Sequence, residues 1–205
     1  MPADHQPGAN AGAETVTADP GSARLSEPEE PDQSIALEFV RLDERWAALE
    51  LPVAQLVLAI DRELGPDAVA GGSAAVALSD DAHLQDLNRQ HRGQDKPTNV
   101  LSFPSPPMPG ADGGTYLGDI AISFDTVASE AEAARISLKD HATHMLLHGL
   151  LHLLGHDHED DAEAERMEAM ETRILARLGI IDPYPDRDVT TAAKETLDRT
   201  TRSVG

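Results

Sequence analysis

His148-Gly149-Leu150-Leu151-His152-Leu153-Leu154-Gly155-His156-Asp157-His158 sets the architecture of the rest of the chain. The Leu residues at 150, 151, 153 and 154 make a helix here apolar almost all round, so the spacing predicts a buried helix over Leu138–Leu154. His148 and His152 are four apart, a turn of about 400° and a rise of about 6 Å, so both rings leave one face of that helix. Two imidazoles placed in Leu-rich surroundings without partners are costly to bury. Two imidazoles converging on a cation are not. Gly155 follows where a left-handed residue stops a helix without Cβ strain, and the returning chain delivers His158 as a third ligand. Zinc held by three protein nitrogens keeps its fourth position for water, the catalytic rather than the closed structural arrangement. The metal centre is therefore expected to be one zinc ion on His148, His152 and His158, at the end of a buried helix. Three imidazoles also suit nickel, copper and iron.

The spacing matches the three-His metalloprotease pattern H-E-x-x-H-x-x-G-x-x-H with one departure. Gly149 occupies the position of the Glu that serves there as general base. That argues against ordinary peptide hydrolysis.

The 205-residue chain has room for one domain of about 150 residues with tails. It has no Cys, so disulfides and zinc–thiolate sites are excluded and a metal must be held by His, carboxylate or water. No run of about 20 apolar residues is present, and Met1–Asn10 lacks the pattern of a secretory signal, so the expectation is a cytoplasmic protein without a membrane association. The formal charge is −21, and most of it lies between residues 35 and 181 rather than in the tails. Such a balance disfavours broad, unspecific nucleic-acid binding, so a polyanionic substrate needs a local basic patch or the metal.

Residues 1–34 are rich in Ala, Gly, Pro, Asp and Glu and read as a disordered acidic extension. Ser34–Leu42, Ser73–Ser79, Thr98–Phe103 and Tyr116–Ile122 read as strands. Helices are expected from Val53 to Leu64 between Pro52 and Gly65, from Asp81 to about Gln90, from Ser123 as N-cap to about Arg135, and from Glu159 to Leu178. Pro104 should end the third strand, leaving Ser105–Gly114 as a flexible loop. From Asp182 onward Pro, Asp and Thr dominate and read as a disordered tail. The fold class is α+β: one domain over residues 35–181, a small mixed sheet of about four strands covered by helices.

Arg89, Arg92 and Lys96 form a local positive island, either a phosphate clamp or an ordinary solvated loop. Asp119 and Asp157 are either partners of a ligating imidazole or turn residues. His144 and His156 are read as non-ligands, because two further imidazoles would fill the position that a water needs.

HGLLHLLGHDH, together with Asn88–Phe103 (NRQHRGQDKPTNVLSF) and Leu117–Ile120 (LGDI), closely resembles the YbeY family of single-strand-specific endoribonucleases and ribosomal RNA maturation factors. The resemblance covers about residues 35–181. It implies that His148, His152 and His158 bind zinc and that Arg92 is a functional residue near the metal, neutralising charge on the phosphorane while the metal polarises water or a phosphoryl oxygen. It implies single-stranded or ribosomal RNA as partner, with ribosomal proteins as further candidates. The family often has Asp where Asn99 stands and Tyr where His156 stands. Two other readings stay open from the residues: a different zinc hydrolase, and a non-catalytic ribosome-assembly factor in which zinc is structural.

Overall fold

A computed structural model describes residues 35–65, 71–109, 114–156 and 160–184. The four strands are β1 (Ala36–Arg41), β2 (Gly72–Ser79), β3 (Val100–Pro109) and β4 (Thr115–Ser123), in the order β1-β2-β4-β3. β1, β2 and β4 are parallel, and β3 runs antiparallel on the edge. The helices are α1 (Val53–Leu64), α2 (Asp81–Arg92), α3 (Phe124–Ala134), α4 (Leu138–Leu153) and α5 (Asp161–Arg177). This is the expected α+β domain with a mixed four-stranded sheet.

Strand periodicity divides the helices between the two faces. Ala74, Val76, Leu78, Ile120 and Ile122 point to one face, where α4 lies across the sheet and α1 and α5 flank it. Ala77, Leu101, Phe103 and Ala121 point to the other, where Leu84 and Leu87 of α2 cover them. α4 is buried as its Leu content requires: Leu146, Leu147, Leu150 and Leu151 are all completely enclosed.

β3 departs from expectation. It does not stop at Pro104 but continues to Pro109, through a stretch read as a loop. Among the described residues its outer side has no neighbouring strand, so a proline facing that side forfeits no ladder hydrogen bond, and the register breaks between Pro104 and Met108, where Pro106 and Pro107 lie.

The junction of β2, β4 and α3 is tied by side chains. Trp46, in a short 3-10 turn at Glu44–Ala48, is buried; its indole N–H donates to the Ser79 carbonyl (2.9 Å) and its ring meets Phe124 edge-on at 5.2 Å. Ser123 precedes α3 as expected, but its hydroxyl does not cap the helix. It donates to Asp81 at 2.5 Å, and Asp81 also accepts from the Thr126 hydroxyl and N–H. Arg45 bridges Asp43 and Asp125, whose carboxyls it holds below their ordinary range chiefly by hydrogen bonding.

Candidate functional site

The site is built on α4. Ser137 caps its start by accepting from the Asp140 N–H at 3.0 Å. At its end the Gly155 N–H donates to His152 O and the His156 N–H to Leu151 O, the paired bonds of a Schellman stop, with Gly155 at φ +86°. The terminating role read for Gly155 is thus what the backbone shows. His141, His144, His148 and His152 fall on one stripe of the helix, at intervals of three, four and four residues.

Gly149 lies on the side turned to the sheet. A Cβ there would come within 3.0 and 3.1 Å of the Ile120 side chain and 3.1 Å of Ser102 Oγ. Ser102 Oγ–H reaches Gly149 O at 3.3 Å. The close approach of helix and sheet thus favours glycine where the protease pattern has its base, since any Cβ there would crowd Ile120 and Ser102.

The Nε2 atoms of His148 and His152 face each other at 3.1 Å, with ring centroids 4.6 Å apart. Two nitrogens each 2.0–2.1 Å from a tetrahedral zinc would stand about 3.3 Å apart. The observed separation fits that geometry closely. The opposite ring nitrogen of His148, Nδ1, lies 2.8 Å from Glu171 Oε1. An ionised carboxylate only accepts, so Nδ1 carries the hydrogen and the Nε2 lone pair is directed at His152. His158, the third expected ligand, and Asp157 lie outside the described residues. Among the described residues no group of three or more His, Asp or Glu is arranged to hold a metal ion, so two of the three expected ligands are brought together here.

Glu171 was not singled out by the sequence reading, and neither was Tyr184. Glu171 is completely buried. Burial pushes its carboxyl up, but hydrogen bonds from His144 and His148, with a further one from Tyr184, outweigh that and hold it at about 2. Oε2 accepts from His144 Nε2–H at 3.2 Å and from the Tyr184 hydroxyl. Tyr184 belongs to the stretch read as a disordered tail, yet its ring packs edge-on against His144 at 5.7 Å. The signal for Glu171 was available: it sits on the apolar stripe of α5 with Met167, Ile174 and Leu175, where an acid is out of place unless it has partners. Beside the His148 ring, a cavity of about 280 Å³ is lined by His148, Ala164, Met167, Glu168, Glu171 and Tyr184.

Further up the stripe, His141 Nε2–H donates to Glu130 of α3 at 2.8 Å, while its Nδ1 is buried with no hydrogen-bond partner among the described residues. Glu130 also accepts from the Asn99 amide at 3.0 and 3.2 Å. Asn99 thus contributes a neutral donor to a carboxylate, a role an Asp could not fill.

Arg92 is the last residue of α2 and is exposed, and among the described residues it has no hydrogen-bond or ion-pair partner. α2 packs on the face of the sheet opposite α4. Of the positive island, Arg89 is engaged by Asp86 at 2.7 Å and by Asp95 at 3.9 Å. Asp119 points to the α2 face, away from α4, and accepts from the Tyr116 hydroxyl at 2.7 Å. Among the described residues its hydrogen-bond partner is Tyr116 rather than His148 or His152. With burial, Asp119 pushes the Tyr116 hydroxyl up to about 12. His156 is half-buried, and burial lowers its imidazole below the ordinary value.

A family model described as Endoribonuclease YbeY matches residues 47–179. A protein from Rhizobium etli (strain CFN 42) named Endoribonuclease YbeY is 51% identical over 130 residues, covering 63% of this chain and 76% of that protein. Proteins of the same name from Bradyrhizobium sp. (strain BTAi1) and Azorhizobium caulinodans are 49% and 46% identical, over 76% and 91% of their own lengths. A solution structure from Thermotoga maritima, TM1509, covers 76% of this chain at 21% identity and a TM-score of 0.46, a likeness too loose to carry an argument.

Proposed function

The chain belongs to the YbeY family, and from that premise we propose that it is an endoribonuclease cutting single-stranded RNA in ribosomal RNA processing and in ribosome maturation or quality control. The observation that carries the reading at the level of atoms is the pair of imidazole Nε2 atoms 3.1 Å apart at the end of α4.

One zinc ion, held by His148, His152 and His158, is the proposed cofactor. When bound, such an ion supplies a Lewis acid for the phosphodiester and lowers the pKa of water. The chain's own residues do the rest. Glu171 fixes the His148 ring so that Nε2 faces the site. Arg92, which no carboxylate among the described residues neutralises, is the proposed clamp for a phosphate, its planar fork matching two phosphate oxygens. Exposed Lys96 adds charge beside it. In a chain of net charge −21 these two cations offer an anionic backbone a local point of attraction.

The close packing of Gly149 on Ile120 keeps a carboxylate base out of the protease position, which favours an RNA substrate over a peptide. The nucleophile is then water or the RNA 2′-hydroxyl. End-group analysis separates the two: a 2′-hydroxyl attack leaves a cyclic phosphate, and water attack does not.

The test is an assay of protein purified without an affinity tag on single-stranded and structured RNA, with elemental analysis of the same sample. The reading requires about one zinc per chain and chelator-sensitive cleavage of the single-stranded substrate. Stoichiometric zinc without cleavage would instead support a structural ion in an assembly factor.

A further inference from the structure

We propose that Glu171 is a positioning residue for the metal ligand His148, and that Tyr184 locks Glu171 in that role. The inference rests on the zinc reading above and extends it to two residues outside the histidine motif.

A ring with two nitrogens presents the correct one to a cation only if something holds the other. Glu171 Oε1, 2.8 Å from His148 Nδ1, is that partner. The carboxylate is itself immobilised. Oε2 takes the Tyr184 hydroxyl and His144 Nε2–H, so three donors from two other segments act on one buried acid. Rotating Glu171 would break all three bonds inside a protein interior, where an unpaired polar group costs more than an exposed one. An acid kept only for packing would be replaceable by a residue that fits the apolar stripe of α5. A carboxylate that accepts from the far nitrogen of a ligating imidazole sets its tautomer and raises its basicity, and losing such a partner typically weakens metal binding about 10–100-fold. Tyr184 reaches the site from beyond the end of α5, so the segment following that helix closes the arrangement.

The experiment compares untagged wild type, Glu171→Gln and Tyr184→Phe. It measures zinc dissociation constants by chelator competition, the absorption spectrum of the cobalt-substituted proteins, and the melting temperature of each metal-free protein. The tautomer of His148 in metal-free wild type is read from long-range proton–nitrogen couplings. The expected results are zinc affinity about 10–100-fold weaker in Glu171→Gln, a smaller loss in Tyr184→Phe, an altered cobalt spectrum, and His148 protonated at Nδ1. If Glu171→Gln lowers only the melting temperature and keeps wild-type affinity, or if His148 is protonated at Nε2, the inference is overturned. Should Glu171→Gln not fold, Tyr184→Phe and the tautomer measurement decide it. Wild type that binds no zinc would sink the zinc reading as well; wild type that binds zinc no better than Glu171→Gln sinks the positioning role alone.

Discussion

Asn99 and Glu130 are matched as donor and acceptor: the amide nitrogen of one lies 3.0 Å from the carboxylate of the other. The same carboxylate takes His141 Nε2–H at 2.8 Å, so an amide and an imidazole share one acid at the junction of α3, α4 and the start of β3.

Replacing Asn99 with Asp should therefore set two carboxylates against each other. Glu130 is 41% exposed, which screens the repulsion, and the expected cost is about 1 kcal/mol. Denaturant unfolding of Asn99→Asp, Glu130→Gln and the double variant gives the coupling. The double variant restores an amide facing a carboxylate and should recover most of the loss.

Gly149→Ala places a methyl group within 3.1 Å of Ile120 and Ser102. Ile120 is buried in the centre of β4, so it yields only by repacking its neighbours. Overpacking of about 1–3 kcal/mol, less about 1 kcal/mol of helix propensity gained, leaves a net destabilisation of about 1 kcal/mol. Gly149→Glu should not yield folded protein and should not confer peptidase activity. Thermal unfolding and expression as soluble protein check both.

Arg92→Glu reverses an exposed charge that has no partner among the described residues. Its melting temperature and zinc content should match wild type, while RNA cleavage falls by at least tenfold and becomes less sensitive to added salt. Wild-type cleavage in this variant would remove Arg92 from the site.

Glu63 joins α1 to α5 through Arg173 at 2.5 Å and Arg177 at 3.1 Å. Burial acts to raise its carboxyl, but the arginines more than offset this and hold it below the ordinary 4.5. A carboxyl lowered by folding stabilises the native state above its unfolded pKa and loses that contribution as pH falls through the lowered value. Glu63→Gln should cost about 1 kcal/mol or less near pH 7, since both guanidinium groups are about half exposed. The gap between variant and wild type should close as the pH falls from the ordinary 4.5 through the lowered value, as followed by urea unfolding at a series of pH values.

His148→Ala removes an imidazole that both faces His152 and bonds Glu171. It should abolish stoichiometric zinc and RNA cleavage together. Treatment of wild type with a chelator should give the same loss of cleavage, and it should be restored by added zinc.

The sheet, the order of elements and the burial of α4 were legible because each rests on a local pattern: alternation in the strands, and Leu on every side of one helix. The length of β3 was not, because prolines that would forbid a central strand are harmless on an edge, and edge position is a property of the assembled sheet. His148 and His152 were legible from helical spacing. Glu171 was legible only as an acid out of place on an apolar stripe, not by its partner 23 positions away, and Tyr184 was not legible, because its meaning lies in a contact with a residue 40 positions away. The role of Gly149 was half legible: the missing base was seen in the motif, but its cause, the contact with Ile120, appears only once helix and sheet are packed.

Trp46 is the chain's single tryptophan, and it is enclosed where β2, β4 and α3 meet, bonded to Ser79 and edge-on to Phe124. Its fluorescence thus serves as a built-in optical reporter: emission shifts to longer wavelength when that junction opens to water, and the signal comes from one place in the molecule, well separated in sequence from the histidine cluster, so folding can be followed in every variant above without attaching a dye.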